Sequence, residues 1–289
     1  MKAAVAASSQ VISSASNPLL KEVRRAVRQG SLTGGGCVVA ESFHLLAEAL
    51  RSGCECDVVL VSQAARNKAL EIMAAAGRDI AVRVVADALF DTIAATETPQ
   101  GVIALVRPRA WAPGDLFRGR PLVVVVDGVQ DPGNAGAITR AAEAFGATGI
   151  VFLRETVSPF NPKTLRASAG SLFRLPYLWG LERDRARQEF RKRETQVVAA
   201  SSEHGDAPDR VDWTVPTALV IGSEARGVSE PFQHNARTVR IPTQGVESLN
   251  ASVAAAVLLY EASRQRGELS RRGQGSREAA CDAAGKALA

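Results

Sequence analysis

The sequence predicts an α/β protein whose C-terminal part is built on a parallel sheet, and three observations carry that prediction. Leu122 to Val126 is an unbroken apolar run, without the polar alternation of a strand that has one wet face, so it reads as a strand buried on both sides. A helix follows, with Ile138, Ala141, Ala142 and Phe145 on one side and Gly146 as its stop, and Gly149 to Leu153 reads as the next strand. Apolar runs and amphipathic stretches then alternate through most of the remaining chain, the signature of strands crossing over through helices.

In chain order, residues 1–15 are small and polar and are expected to be flexible. Asn17-Pro18 opens a helix carrying Lys21, Arg24, Arg25 and Arg28. Several of these charges lie three or four residues apart and share a face, which serves either as a solvated side or as a phosphate-contacting surface. Gly36–Ala40 predicts a strand, Glu41–Arg51 a helix, Val58–Ser62 a strand, Ala65–Ala76 a helix, Ile80–Val85 a strand, Asp87–Ala95 a helix and Val102–Val106 a strand. Residues 16–107 therefore form a small α/β domain able to bury its own core. The Pro- and Gly-bearing stretch 108–120 reads as a linker.

The second domain is expected over 121–266. After Leu153 the chain runs Ser158-Pro-Phe-Asn-Pro162 and then KTLRASAGSLFRLPY, read as a loop and short helix. Glu182–Glu194 predicts an Arg-rich, solvated helix. Strands are expected at Val197–Ala200, Ala218–Ile221 and Thr238–Ile241, and a last helix at Leu249–Arg264. Residues 267–289, rich in Gly, Ser, Arg and Ala, read as a disordered tail.

Composition narrows the function classes. The 289 residues carry 35 basic and 30 acidic side chains, a net charge of +5, which leans mildly toward a polyanionic partner. Aromatic residues are only 5%, too few for broad base-stacking platforms. The four cysteines at 37, 54, 56 and 281 have no zinc spacing, so no metal is expected, and they read as reduced thiols of a cytoplasmic protein. No apolar run is long enough to span a membrane, and no secretory signal is visible.

Three polar, glycine-bearing loops follow three of the predicted strands, at 127–136, 222–228 and 242–250. In a parallel sheet all three can lie at the carboxyl edge, where α/β sheets bind ligands. They would bring together Asn134 and Arg140, Glu224 and Arg226, and Ser248 and Asn250. The first loop is not a dinucleotide fingerprint, since its glycines stand at 128, 133 and 136, and it lacks the Lys-Ser/Thr of a P-loop. That disfavours a nicotinamide-dependent oxidoreductase. Taken alone, Pro132 and Gly133 turn the chain, Asn134 caps the helix and Arg140 is a helix charge.

Together, however, DPGNAGAITR at 131–140, IGSEARG at 221–227 and the stretch from Ile241-Pro242 through GVESLNASVAAA to 256 resemble the three motifs of the SpoU (TrmH) family of RNA ribose methyltransferases, in the SPOUT superfamily. KTLRASAGSLFRLP at 163–176 is similar to a further family segment, and TPQGVIAL at 98–105 to the end of the family's small substrate-binding domain. The resemblance spans roughly residues 12–264. It implies S-adenosylmethionine as methyl donor, an RNA ribose 2′-hydroxyl as acceptor, a deep trefoil knot and a homodimer. It places the donor against the backbone of Gly222, Ile241 and Leu249, with Gly227 and Asn250 on the same wall. It puts Asn134, Arg140, Glu224, Ser248 and Asn250 on the family's catalytic positions, and it makes Lys21, Arg24, Arg25, Arg28 and Arg166 candidates for RNA contact. The presence of a substrate-binding domain points to ribosomal RNA ahead of transfer RNA. A non-catalytic RNA-binding protein on the same fold is disfavoured by the intact polar set. One departure stands out: the third motif is one residue shorter than usual, so Thr243 to Val246 are not carried over as donor contacts.

Overall fold

The computed structural model of the chain describes residues 11–234 and 236–267. The expected N-terminal segment up to residue 10 and the tail from 268 onward lie outside the described residues. Two sheets organise the rest. The first has four strands, β1 (Val38–Glu41), β2 (Cys56–Ser62), β3 (Val82–Val85) and β4 (Val102–Val106), in the order β1-β4-β2-β3. Here β4 runs antiparallel to both β1 and β2, and β3 parallel to β2. Helices α1 (Pro18–Gln29), α2 (Phe43–Arg51), α3 (Arg66–Ala75) and α4 (Asp87–Phe90) cover it.

The segment before α1 is more ordered than its composition suggests. Ile12 forms a parallel bridge to Val85, its N–H donating to Val84 O at 2.8 Å. The reason is that β3 is an edge strand with an unpaired row of backbone groups, which Ile12 partly satisfies. Glu41, expected in a helix, instead ends β1: its buried carboxylate accepts from Ala95 N–H at 2.6 Å and from the Thr96 hydroxyl. The helix starts two residues later, where Ser42 Oγ caps Leu45 N–H at 3.1 Å. The segment read as a linker also carries structure. A short helix α5 (Pro113–Leu116) buries Leu116 beneath the second sheet, and Thr148 Oγ1 donates to Leu116 O at 2.6 Å.

The second sheet has six strands, all parallel: β5 (Leu122–Asp127), β6 (Gly149–Leu153), β7 (Tyr177–Leu181), β8 (Gln196–Ser201), β9 (Thr217–Gly222) and β10 (Arg237–Arg240), in the order β10-β8-β9-β5-β6-β7. Every residue of β5 is buried, as its unbroken apolar run requires. Strand β7 escapes sequence reading because it is a short edge strand that follows Pro176 and is interrupted by Gly180, with Trp179 52% exposed. The helices are α6 (Pro132–Ala144), α7 (Pro162–Ala167), α8 (Arg183–Lys192), α9 (Glu230–Gln233) and α10, helical over 251–267. No helix among the described residues is long and apolar enough to cross a membrane.

From β5 the chain builds outward through β6 to β7, then returns to place β9 on the other side of β5. The strand order reverses there, so the crevice at the carboxyl ends of β5 and β9 is a topological switch point. The last helix is clasped at its end. Arg266 donates to the carbonyls of Arg120, Pro121, Trp213 and Val215 at 2.7–3.0 Å, and burial pushes its guanidinium down to about 10.

The two sheets share one continuous core that runs from Val38 and Leu46 to Leu172 and Phe173. A charged clamp closes its rim. Arg174 donates to Glu143 of α6 at 2.5 and 2.8 Å and to Glu48 of α2. The Arg174 hydrogen bond holds the Glu143 carboxyl below the usual carboxylate range. A depressed carboxylate contributes stability that is complete above its unfolded value of about 4.3 and is lost as the pH falls toward the folded value. Thermal unfolding followed from neutral pH into this acid range should therefore show a falling midpoint that flattens in Glu143→Gln. An identical acid limb in the variant would assign that loss to other groups.

Candidate active site

The cleft is assembled from the segments that follow β8, β9 and β10, which parallel strands place at one edge; the loop after β5 is absent from its lining and joins it only through Asn134. A cavity of about 590 Å³ opens there, within the range of small-molecule sites. Gly222, Glu224 and Gly227 line it from the second loop, and Ile241, Ser248, Leu249 and Asn250 from the third. Ser201, the last residue of β8, and His204 beyond it line another side, and Ala254 and Leu258 of α10 also face it.

Gly222 is the tightest point of the cradle. A Cβ on it would lie 2.1 Å from the backbone carbon of Gly227, so no side chain fits. Gly227 itself holds φ +65°, a left-handed conformation that favours glycine. Between them the chain turns back: Gly227 N–H donates to Ser223 O at 2.8 Å, and Ser223 Oγ accepts from Arg226 N–H at 3.2 Å. Gly222 and Gly227 bring bare backbone to the cavity, beside Ser223, Glu224, Ala225 and Arg226.

The polar residues converge on Asn134. Its Nδ2 donates to Glu224, and its Oδ1 accepts from Asn250 Nδ2 at 3.0 Å. Asn134 is free to do this because it does not cap α6. With Pro132 in the first turn, the cap is Asp131, whose Oδ1 accepts from Asn134 N–H at 2.7 Å. Asn250 does two jobs: its Oδ1 caps α10, accepting from Ser252 N–H at 2.9 Å and Val253 N–H at 3.4 Å, while its amide nitrogen faces Asn134. Ser248 lines the cavity and is exposed. Thr243 also lines it, and its hydroxyl donates to Val246 O at 2.9 Å. The shortened third loop thus closes as a turn that keeps Thr243 on the wall and points 244–246 outward.

Arg140 is placed differently. It lies two turns beyond the start of α6, is exposed, and is absent from the cavity lining. On α1, Lys21, Arg25 and Arg28 are exposed, but Arg24 is half-buried and engaged with Thr92, donating to Oγ1 at 2.9 Å and to the carbonyl at 3.3 Å. Arg166 is half-buried in α7, with Nη1 shielded and without a hydrogen-bond partner.

Sequence reasoning missed one residue that holds the site. Asp127, at the end of β5 and paired in register with Gly222, is buried. Its carboxylate accepts from Ser229 N–H at 2.8 Å, just beyond the second loop, and from Arg183 Nε at 3.0 Å. Arg183 also holds Glu155, both nitrogens at 3.1 Å. Asp127 is thus the carboxylate bonded to backbone just beyond the second loop, whereas Glu224 meets the side chain of Asn134. A charged residue ending an otherwise apolar buried strand was the signal available for it.

This architecture is that of a SpoU methyltransferase, and comparison with known proteins agrees. Residues 121–260 match the SpoU rRNA Methylase family and residues 42–112 the RNA 2′-O ribose methyltransferase substrate-binding family. The chain belongs to the SpoU methyltransferase family. It is 33% identical over 240 residues to the 23S rRNA (guanosine-2′-O-)-methyltransferase RlmB of Bordetella pertussis, covering 79% of this chain and 97% of that one. It is 32% identical over 262 residues to an uncharacterized tRNA/rRNA methyltransferase of Synechocystis, covering 88% and 93%. Among solved structures it resembles the SpoU methyltransferase AviRb of Streptomyces viridochromogenes in complex with AdoMet, at a TM-score of 0.76 and 27% identity, covering 87% of this chain and 100% of that one. It also resembles an AdoMet-bound rRNA methyltransferase of Sinorhizobium meliloti, at 0.74 and 29%, covering 88% and 97%.

Gly222 gives a direct test of the cradle. Gly222→Ala should force the second loop off Gly227 and lower AdoMet affinity at least tenfold by calorimetry, a cost of about 1.4 kcal/mol. Unchanged affinity would mean that the loop is not the donor wall.

Proposed function

We propose that this protein transfers a methyl group from S-adenosylmethionine to a ribose 2′-hydroxyl of RNA, with ribosomal RNA as the substrate class. The observation that carries this reading is the Asn134–Glu224–Asn250 network at the mouth of a cavity whose wall excludes a side chain at Gly222. A cavity walled by Gly222 and Gly227, with Ile241, Leu249 and polar residues around it, fits a nucleoside-bearing donor. The naming of the Bordetella relative for 23S rRNA, and of the Sinorhizobium structure for rRNA, supports ribosomal over transfer RNA. A cytoplasmic location belongs to the same reading.

The donor, when bound, supplies an electrophilic methyl group on a sulfonium. The residues of this chain have three tasks. Glu224 and Asn250 fix the two sides of the Asn134 amide, which leaves Asn134 as a rigid post beside the cavity rather than a proton acceptor. Ser248 offers a hydroxyl on the same wall. Arg140, exposed and outside the cavity lining of its own chain, acts on the RNA: a guanidinium stays protonated, so it would stabilise the negative charge on the ribose oxygen as that oxygen takes the methyl group, its proton passes to solvent and the sulfonium leaves as a neutral thioether, and it would hold the adjacent phosphate bidentately. The exposed stripe Lys21, Arg25 and Arg28 contributes phosphate contacts remote from the cavity.

The active form in this reading is a homodimer. Two contacts, Asn134 with Asn250 and Phe145 with Tyr260 (ring centroids 5.9 Å), set α6 and α10 side by side. Together they leave Val253, Val257 and Tyr260 exposed at 40–58%. An apolar stripe of this kind fits a second copy of the same face. The fold in this reading also includes the trefoil knot, and the clasp of Arg266 by residues 120–121 and 213–215 supports α10 being enclosed by those segments.

With ribosomal RNA and labelled AdoMet, the full chain should produce 2′-O-methylated nucleotides, and Arg140→Ala should lower kcat about a hundredfold while leaving donor affinity unchanged. Full activity in that variant would remove Arg140 from the mechanism; no transfer to any RNA would remove the function. Light scattering should give a dimer at micromolar concentration and a monomer for Val257→Lys; a monomeric wild-type chain would overturn the assembly.

A further inference from the structure

A second cavity lies in the small domain and shares no lining residue with the donor cleft. It measures about 320 Å³, and all its lining residues fall between Phe43 and Gly101, inside the span that matches the substrate-binding family. Phe90 is fully buried and forms its floor, and the half-buried ring of Phe43 forms one wall. The Lys68 ammonium sits 4.3 Å from the centroid of that ring. Asp87 and Asp91 stand exposed at the rim.

The cavity walls are held in place by specific contacts. Gln100 Oε1 accepts from Phe43 N–H at 3.1 Å, which ties the ring to the opposite loop. At Gly101, with φ +77°, a Cβ would lie 2.3 Å from Ser62 Oγ, so this wall closes only on glycine. Ser42, next to Phe43, holds φ 132°, a backbone region that glycine favours.

The chemistry of the opening is selective. A flat π face suits a planar heterocycle, and unpaired RNA bases are read by stacking on aromatic rings with hydrogen bonds to their edges. An ammonium beside carboxylates matches an edge that presents a carbonyl next to N–H donors. Asp91 has no hydrogen-bond partner for its carboxylate among the described residues, and Asp87 uses Oδ1 alone, accepting from Gln63 N–H at 3.1 Å. Among the four bases, guanine has that edge. The surroundings supply a path for the backbone: Arg24 binds Thr92, the neighbour of Asp91, so the exposed cations of α1 begin beside the cavity.

We propose that this cavity takes an unpaired guanine of the substrate RNA, stacked on the Phe43 face in place of the Lys68 ammonium, which moves from over the ring to the base carbonyl, with the Asp91 carboxylate on its N–H groups. The proposal rests on the RNA reading above and adds to it a base-specific anchor remote from the methylated ribose.

Fluorescence anisotropy of the full-length protein with a short labelled oligouridylate carrying one central guanosine tests it. The guanosine oligomer should bind about tenfold more tightly than the all-uridine one. Phe43→Leu, which keeps apolar bulk and loses the π face, and Asp91→Asn, on the surface, should abolish that preference with unfolding temperature and AdoMet affinity unchanged. Phe43→Leu protein that keeps wild-type affinity and preference overturns the proposal and leaves the RNA reading intact. Equal preference for an adenosine oligomer overturns the choice of guanine. A full chain that binds no RNA, ribosomal RNA included, overturns both.

Discussion

The side-chain amide of Asn134 is the point on which the site depends. It donates to Glu224, 90 residues away, and accepts from Asn250, 116 residues away. A primary amide can do both at once, since it has a donor and an acceptor on one planar group. A carboxylate in its place would repel Glu224, and an apolar residue would leave two polar partners facing each other without a bridge. The amide therefore turns three loops into one wall.

That wall stands because the backbone beneath it is fixed independently. Asp127 anchors the exit of the second loop and the start of α8 from inside the sheet, and Gly222 lets the loop fold flat against its own far end. A buried carboxylate with a guanidinium and an N–H on it is costly to disturb, because its remaining partners would be left unpaired. The cavity is thus braced from inside the sheet where the donor cradle is proposed, and Arg140, Lys21, Arg25 and Arg28, proposed to meet RNA, are exposed. The small domain joins this frame through a shared core and the Arg174 clamp, so a contact made in its cavity is held at a defined place relative to the cleft.

Much of this was legible in the chain. Leu122–Val126 announced a strand buried on both faces because nothing polar interrupts it, and the three polar loops announced a shared edge because parallel strands point their carboxyl ends the same way. Other features were hidden for physical reasons. Strand β7 is an exposed edge with weak patterning, Ile12 is ordered only by the open edge of β3, and Glu41 looks like a helix opener until Ala95 and Thr96 are seen to satisfy it. The role assigned to Asn134 as a helix cap fell to Asp131, because a proline in the first turn shifts the helix start upstream.

By itself, the order of residues determined the elements, the motif loops and the residue types available for chemistry, since periodicity, caps and glycine positions are local properties. The tertiary structure alone decided which of those residues touch. It joined Asn134 to Glu224 and Asn250, gave Asp127 the anchoring task, left Arg140 on an outer face, and opened a cavity beside Phe43. The physical reason is that hydrogen bonds and close packing act over a few ångströms, so partners a hundred residues apart become neighbours only when the sheet order brings their strands together.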